Sequence, residues 1–169
     1  MKRWQNILTV VLTAVVLVGM SGCAGYANRW PYPEQIHTVY VEMFDTSDFR
    51  RGYEYQLTDA ICKYLEAQTP YKIVSDRNRA DSILSGTLQT GQGVLSMDRY
   101  TGKPLEQEAI LRVTFTWKDL RTGQVLINQE TVAAAEPYSA FLSQDFEYSA
   151  ARAVNKAAQR LVERMESAW

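Results

Sequence analysis

The residues that could do chemistry are few in this chain, and their spacing argues against catalysis. His37 is the only histidine, so neither a histidine-based metal cluster nor a Ser-His-Asp triad can be assembled. Glu106 and Glu108 are two apart on a predicted strand, but solvated charges beside a hairpin are a simpler interpretation than an acid–base pair. Gly91-Gln92-Gly93 is a lone G-x-G that opens no helix. We therefore expect no catalytic residue, metal site or cofactor.

Cys23 stands at a boundary between two kinds of sequence. A basic start is followed by an apolar run over residues 7–18 and then by the small residues Ser21 and Gly22. This order is typical of a secretory signal, and the run is shorter than the ~20 apolar residues of a membrane-spanning helix. A cysteine at the cleavage boundary resembles the bacterial lipobox, in which the thiol is lipidated, although Met20 stands where Leu is usual. An ordinary signal peptide with an incidental cysteine is the alternative.

Residues 23–35 are predicted to be the lipidated cysteine and a short spacer. The spacer carries two prolines and no apolar periodicity, and residues 24–35 would reach ~40 Å at most when extended. Acyl chains on Cys23 would hold the protein at a membrane, because each buried CH₂ contributes ~0.8 kcal/mol to binding. Ala24 follows the cysteine, whereas Asp there resembles the inner-membrane retention signal of enteric bacteria. This favours the outer membrane.

The rest of the chain has the size and charge of one ordinary domain. Removing residues 1–22 from 169 leaves 147, and 18 minus 2 basic residues face 19 acidic ones, which gives a formal charge of −3. Because no dense run of Lys or Arg appears, we expect no nucleic-acid partner. Cys62 falls beside Ile61 in a predicted helix, so we expect a core residue rather than a reactive thiol.

Apolar periodicity predicts the elements that would carry any site. Steps of two residues indicate half-buried strands, clearest at residues 109–118, and steps of three and four indicate amphipathic helices. The predicted strands are Ile36–Phe44, Tyr71–Val74, Ser82–Thr90 continuing into Val94–Tyr100 after a bulge or bend at Gly91 and Gly93, Ala109–Lys118 and Val125–Val132; the predicted helices are Phe49–Gln68 and Ser143–Trp169.

These elements predict an α+β fold for residues 36–169. We expect a single mixed β-sheet of four to five strands with two helices packed on one face, in the order β-α-β-β-β-β-α. The first strand, helix and second strand have the lengths of a right-handed parallel crossover. Residues 1–22 would be the signal peptide, 23–35 the lipidated cysteine and spacer, and 36–169 one domain.

Several segments resemble one family of envelope lipoproteins, the lipopolysaccharide-assembly proteins of the LptE type. The segments are Cys23-Ala24-Gly25-Tyr26, residues 39–47, 51–54 and 57–60, Tyr71–Val74 followed by the Ala-Asp-x-x-Leu-x-Gly signature at 80–86, Thr122–Leu126 and Glu166–Trp169. Asp45 departs from the family, in which Asn is commoner. The signature also occurs in activators of peptidoglycan synthases, but those usually carry a long disordered tether, and the spacer here is short.

The resemblance implies a place and a partner. It implies an outer-membrane lipoprotein on the periplasmic side that plugs and supports a β-barrel translocon of the LptD type and assists lipopolysaccharide insertion. For the anionic headgroup we predict a positively charged hairpin containing Arg99, Lys103 and Arg112, with ordinary solvated cations as the simpler interpretation. The alternative function is an envelope lipoprotein that binds lipid or glycan, or activates a peptidoglycan synthase, without a barrel partner.

Overall fold

The architecture is taken from a computed structural model, which describes residues 35–46 and 48–167. The predicted signal peptide, Cys23 and the spacer up to residue 34 lie outside these residues. Within the two described ranges, no helix is both long and apolar enough to cross a membrane.

The described chain folds into six strands and two helices. The strands are β1 (Thr38–Val41), β2 (Asp45–Thr46), β3 (Lys72–Ile73), β4 (Ser82–Met97), β5 (Pro104–Asp119) and β6 (Val125–Tyr138). The helices are α1 (Tyr53–Gln68) and α2 (Phe146–Ser167), with short 3-10 turns at Arg77–Arg79 and Ala140–Leu142.

All strands join one mixed sheet with the order β3-β1-β4-β5-β6, and β2 pairs with β4 beyond the end of β1. β1 runs parallel to β3 and β4, whereas β4, β5 and β6 form two successive antiparallel hairpins. The α+β prediction is therefore confirmed, and the parallel pairing of β1 with β3 fits the expected crossover. The sheet has six strands rather than four to five, because the two residues of β2 are too few to show a period-two pattern and Asp45 is typical of a turn.

β5 forms the centre of the core, as its alternating pattern predicts. Its odd-numbered side chains are buried, including Phe115 and Trp117 at 1% and 0% exposure. The two helices pack on this face and contact each other, so the sheet and helices form two layers. Trp117 also places its indole N–H 3.1 Å from the Ser82 hydroxyl, which satisfies the buried donor at the centre of the sheet.

α1 begins later than its periodicity predicts. Gly52 precedes the helix with φ of 103°, a left-handed conformation that favours glycine, and its N–H donates to the Glu54 carboxylate at 2.8 Å. The preceding residues are tied to β4, since the Asp48 carboxylate accepts from the Thr90 N–H. The apolar steps read as the first helical turn therefore belong to a loop.

β4 and β6 are each longer than the sequence predicts. β4 passes through Gly91 and Gly93 without a break, and its register shifts only after Val94. In β6 a bulge sets residues 128 and 129 opposite Thr116, with Gln129 at φ of 48°. The bulge moves the buried side chains from odd to even positions. Residues 133–137 read Ala-Ala-Ala-Glu-Pro, which shows no alternation, so the sequence pattern does not predict the strand past residue 132.

Gly86, in the predicted signature, marks a close approach between backbones. A Cβ built there would lie 2.6 Å from the Phe44 ring and would also meet the Thr114 carbonyl oxygen. Phe44 is fully buried and cannot move aside without opening the core. The glycine of the signature is therefore required by packing.

We expect Gly86→Ala to lower the free energy of unfolding by about 3 kcal/mol, because the added methyl must displace backbone or a core ring. Gly91→Ala is the matched control on the same strand, since its Cβ would lie 3.8 Å from its nearest neighbour, and should change stability by less than about 1 kcal/mol. Urea unfolding of both variants measures the difference. Equal losses would contradict the packing explanation.

Candidate functional site

The turn between β4 and β5 holds two of the three predicted cations. The Asp98 N–H donates to the Lys103 carbonyl at 2.8 Å, and the Gly102 N–H donates to the Asp98 carbonyl at 2.9 Å. The Asp98 carboxylate accepts from the Tyr100 N–H at 2.8 Å, and this bond lowers the pKa of Asp98. Arg99 and Lys103 are both exposed on this closed turn.

Arg112 lies apart from the other two cations. It is nine positions beyond Lys103 along β5, roughly 30 Å in an extended strand. It stands between Gln89 and Ala133 on the sheet face away from the helices. The structure brings Arg99 and Lys103 together and places Arg112 at a different surface.

Exposed apolar side chains surround this turn, and the sequence pattern does not predict them as a functional surface. They are Val94, Leu95, Met97 and Tyr100 of the hairpin, which are 50–99% exposed, with Phe141 and Leu142 of the neighbouring 3-10 turn at 77% and 70%. The Ser139 hydroxyl donates to the Leu105 carbonyl at 3.0 Å and ties that turn to the hairpin. We call these six residues with Arg99 and Lys103 the distal tip. The sequence does contain one signal of the distal tip, the adjacent apolar pair Val94-Leu95. In a strand with one buried face apolar and polar residues alternate, so two neighbouring apolar residues place one of them on the exposed face.

An aromatic cluster fixes the base of the distal tip. The Phe146 ring at the start of α2 lies 6.2 Å from the Tyr53 ring and 6.3 Å from the Tyr138 ring, edge to face in both cases. The Arg50 guanidinium lies 3.8 Å from the Phe146 ring centroid and donates to the Gln92 side chain at 3.3 Å. Helix, loop and hairpin are thereby joined where the tip begins.

The sheet face away from the helices is largely polar. Thr87, Gln89 and Thr131 are exposed there, and the Thr114 and Thr131 hydroxyls lie 2.8 Å apart. We call this surface the outer face. Glu108 lies on it over Gly93, and Glu106 is exposed further along β5, so both carboxylates belong to the surface.

Asp81 holds together the opposite end of the sheet. Its carboxylate accepts from the backbone N–H groups of His37 and Thr38 at 3.0 and 2.9 Å and from the Thr38 hydroxyl at 3.0 Å. The Arg121 guanidinium, in the turn between β5 and β6, lies 3.7 Å from the same carboxylate and also donates to the Gln35 carbonyl. We call these contacts the Asp81 clamp. The described chain begins here, at the far end of β5 from the distal tip.

The environment of Asp81 favours its charged form. Burial raises its pKa, but the hydrogen bonds from His37 and Thr38 and the charge of Arg121 lower it more, so the pKa lies below the usual value. Asp, the second residue of the predicted signature, therefore has a structural role at this junction.

Neither cysteine chemistry nor metal chemistry is supported by the described residues. Cys62 is half-buried rather than part of the core, because it lies at the margin of the buried face of α1. Burial and the nearby Glu66 and Asp59 raise the pKa of its thiol, which disfavours the reactive thiolate. Across residues 35–46 and 48–167, no group of three or more His, Cys, Asp or Glu side chains could hold a metal ion.

Comparison with known proteins gives a family match and a set of similar folds. The model of the lipopolysaccharide-assembly family, LptE, matches residues 36–165. Among curated proteins no sequence matches.

Solved structures include several lipoproteins of the same fold. Lipoprotein B from Nitrosomonas europaea is 13% identical, with a TM-score of 0.59 and coverage of 80% of this chain and 84% of that one. A minor lipoprotein from Acinetobacter baumannii is 20% identical, with a TM-score of 0.57 and coverage of 79% and 94%. The rare lipoprotein B from Shewanella oneidensis is 20% identical, with a TM-score of 0.54 and coverage of 78% and 95%. At these identities the likeness shows the fold.

The Asp81 clamp predicts a pH-dependent contribution to stability. The pKa of Asp81 is lower in the folded protein than in the unfolded chain, where it is about 3.9. The stability that the charged carboxylate contributes is therefore fully present above the unfolded pKa and is lost as the pH falls through the folded pKa. We expect Asp81→Asn to lower the free energy of unfolding by about 1–2 kcal/mol at pH 7, with the gap from wild type narrowing below about pH 4.

Denaturant unfolding between pH 3 and 7 checks this expectation. Asp59→Asn is the matched control, because its ion pair with Lys63 is exposed and should contribute less than about 0.5 kcal/mol. If the difference in free energy of unfolding between wild type and Asp81→Asn stayed constant down to pH 3, the charge of Asp81 would not be the cause of the destabilisation.

Proposed function

The chain belongs to the lipopolysaccharide-assembly family LptE, and from that membership we propose that it acts as an outer-membrane lipoprotein with a β-barrel partner. In this proposal the protein plugs and supports a translocon of the LptD type and assists the insertion of lipopolysaccharide. The observation that carries the proposal is the distal tip, where exposed apolar side chains surround Arg99 and Lys103.

The distal tip has the two properties that an amphiphile with phosphate groups requires. Exposed apolar side chains such as Leu95 and Tyr100 offer surface to acyl chains, at about 25 cal/mol for each Å² removed from water. Arg99 and Lys103 stand on the same closed turn and offer charge-assisted contacts to phosphate. Lipopolysaccharide combines both groups in one molecule.

The outer face suits the interior of a large barrel. Barrel interiors in the outer membrane are polar, and the outer face presents hydroxyls and amides such as Thr87, Gln89 and Thr131. A partner on this side would complete the second side of the sheet without covering the distal tip. Arg112 would then contact the barrel rather than the lipid.

Lipidation of Cys23 would anchor this arrangement. The spacer from Ala24 to Gln35 spans ~40 Å at most, and the Asp81 clamp receives the chain at Gln35. β5 has 16 residues, which separates the clamp from the distal tip by about 50 Å. The anchored end and the amphiphile-binding end are therefore opposite ends of one rigid ladder. No step in this function calls for a catalytic residue, and the family is non-enzymatic.

For lipopolysaccharide binding, we expect the double variant Arg99→Gln/Lys103→Gln to bind about tenfold more weakly than wild type. Two exposed charge contacts of about 0.7 kcal/mol each account for this factor. Titration of the detergent-purified lipoprotein with fluorescent lipopolysaccharide measures it. Arg112→Gln removes one cation from the outer face and should change the affinity less than twofold; a loss as large as that of the double variant would place the headgroup elsewhere.

For the barrel partner, we expect the native lipoprotein purified from membranes to bring down a large outer-membrane β-barrel protein. Thr87→Glu should reduce the yield of that barrel severalfold, because it buries a charge in the proposed contact. Gln56→Glu makes the same charge change on the exposed side of α1 and should leave the yield unchanged. An eluate without any barrel protein would favour a lipid- or glycan-binding lipoprotein that works alone.

A further inference from the structure

Among the described residues β6 is the last strand of the sheet, and its outer edge contacts side chains of α2, Arg160 at the Ala133 carbonyl and Ser149 at the Pro137 carbonyl. No strand lies beyond it within the part of the chain that the structure describes. The Arg160 guanidinium of α2 donates to the Ala133 carbonyl, which shows that the backbone of Ala133 points away from β5. Because backbone groups alternate in direction along an antiparallel strand, those of Thr131 and Ala135 point outward as well.

The sequence in the middle of this edge does not block pairing with another strand. Residues 130–136 read Glu-Thr-Val-Ala-Ala-Ala-Glu, with small or β-branched side chains between two glutamates. Pro137 and the bulge at Gln129 bound the stretch, and both devices limit pairing at a strand edge. Between them no lysine or proline protects the edge.

A groove of about 460 Å³ runs beside this stretch, between β6 and the second half of α2. It is lined by Thr131, Val132, Ala133, Arg160, Glu163 and Arg164. The Glu163 carboxylate of the lining already accepts from the Gln159 amide at 2.8 Å, and the neighbouring Glu130 lies 3.4 Å from Arg164. Arg160 donates to a neutral carbonyl and lies close enough to Glu136 to lower the pKa of that carboxylate, so the groove has a positive group where an incoming chain would meet it.

We propose that the β6 edge binds an extended strand of a partner protein, with a carboxylate on the side facing α2 that pairs with Arg160. The partner backbone would pair with Thr131, Ala133 and Ala135, as in strand addition to an exposed sheet edge. A partner N–H would replace Arg160 at the Ala133 carbonyl, and the carboxylate would give Arg160 a stronger, charge-assisted contact. Arg160 therefore covers the edge in the unbound protein and selects an acidic strand on binding.

A second copy of the chain fits this edge poorly in the antiparallel register centred on Ala133. If two copies of β6 paired antiparallel about Ala133, Glu130 of one copy would stand opposite Glu136 of the other, twice. Like charges directly opposite each other on neighbouring strands are destabilising. A different polypeptide avoids this repulsion.

The test uses the detergent-purified lipoprotein and a synthetic peptide of alternating Thr and Val with one central Glu. Amide hydrogen exchange should slow at least tenfold at Ala133 and Ala135 when the peptide saturates the protein, because both N–H groups enter a ladder. A peptide with Gln in place of Glu should bind about tenfold more weakly. A third peptide, N-methylated on alternate residues so that it cannot pair, should give no protection.

Matched variants of the protein test whether Arg160 causes the preference for the peptide that contains Glu. Arg160→Gln should bind the Glu and Gln peptides equally, whereas Lys63→Gln, which removes an exposed cation of α1 that pairs with Asp59, should keep the tenfold preference. Protection elsewhere in the chain, or equal binding of the two peptides to wild type, would overturn the proposal. Protection of Ala133 without peptide that rises with protein concentration would also overturn it, in favour of a second copy. None of these readouts involves lipopolysaccharide or the barrel.

Discussion

The antiparallel ladder between β4 and β5 is the constraint on which the rest of the structure depends. Its register runs from Ser82 opposite Asp119 to Met97 opposite Pro104, nearly the full length of both strands. One end of the ladder meets the start of the described chain through the Asp81 clamp, and the other end carries the distal tip. A slip by one residue would turn every buried side chain of β5 to the outer face, so the core fixes both ends at once.

Partly buried carboxylates hold the junctions around this ladder. Asp81 joins β1, β4 and the turn between β5 and β6, while Glu136 joins β6 to α2 through Lys156 at 2.7 Å and Arg152 at 3.1 Å. The hydrogen bond from Lys156 lowers the pKa of Glu136, and its effect exceeds that of burial, which raises it. Removing one member of such a group leaves another polar group without its partner, so these sites are more sensitive than exposed pairs.

The surfaces of the described domain differ in chemistry. The two helices cover one face of the sheet, the outer face is largely polar, and the distal tip is apolar and cationic. The edge of β6 adds a fourth surface whose chemistry is backbone hydrogen bonding beside Arg160. Each surface favours a different kind of contact, and Thr131 belongs to both the outer face and the β6 edge.

The sequence by itself determined the fold class, the order of the long elements and the absence of a catalytic histidine cluster. Period-two burial in β5 and the stripe of α2 depend on local spacing, which the sequence shows directly. Tertiary structure alone decided where β6 ends, because residues 133–137 show no alternation and yet pair with β5. It also decided where α1 begins, because Gly52 and Asp48 hold a loop against β4. It also decided that Arg99 and Lys103 share a surface while Arg112 does not. Distance along an extended strand and the face of a side chain depend on register, and register is set by contacts between residues far apart in sequence.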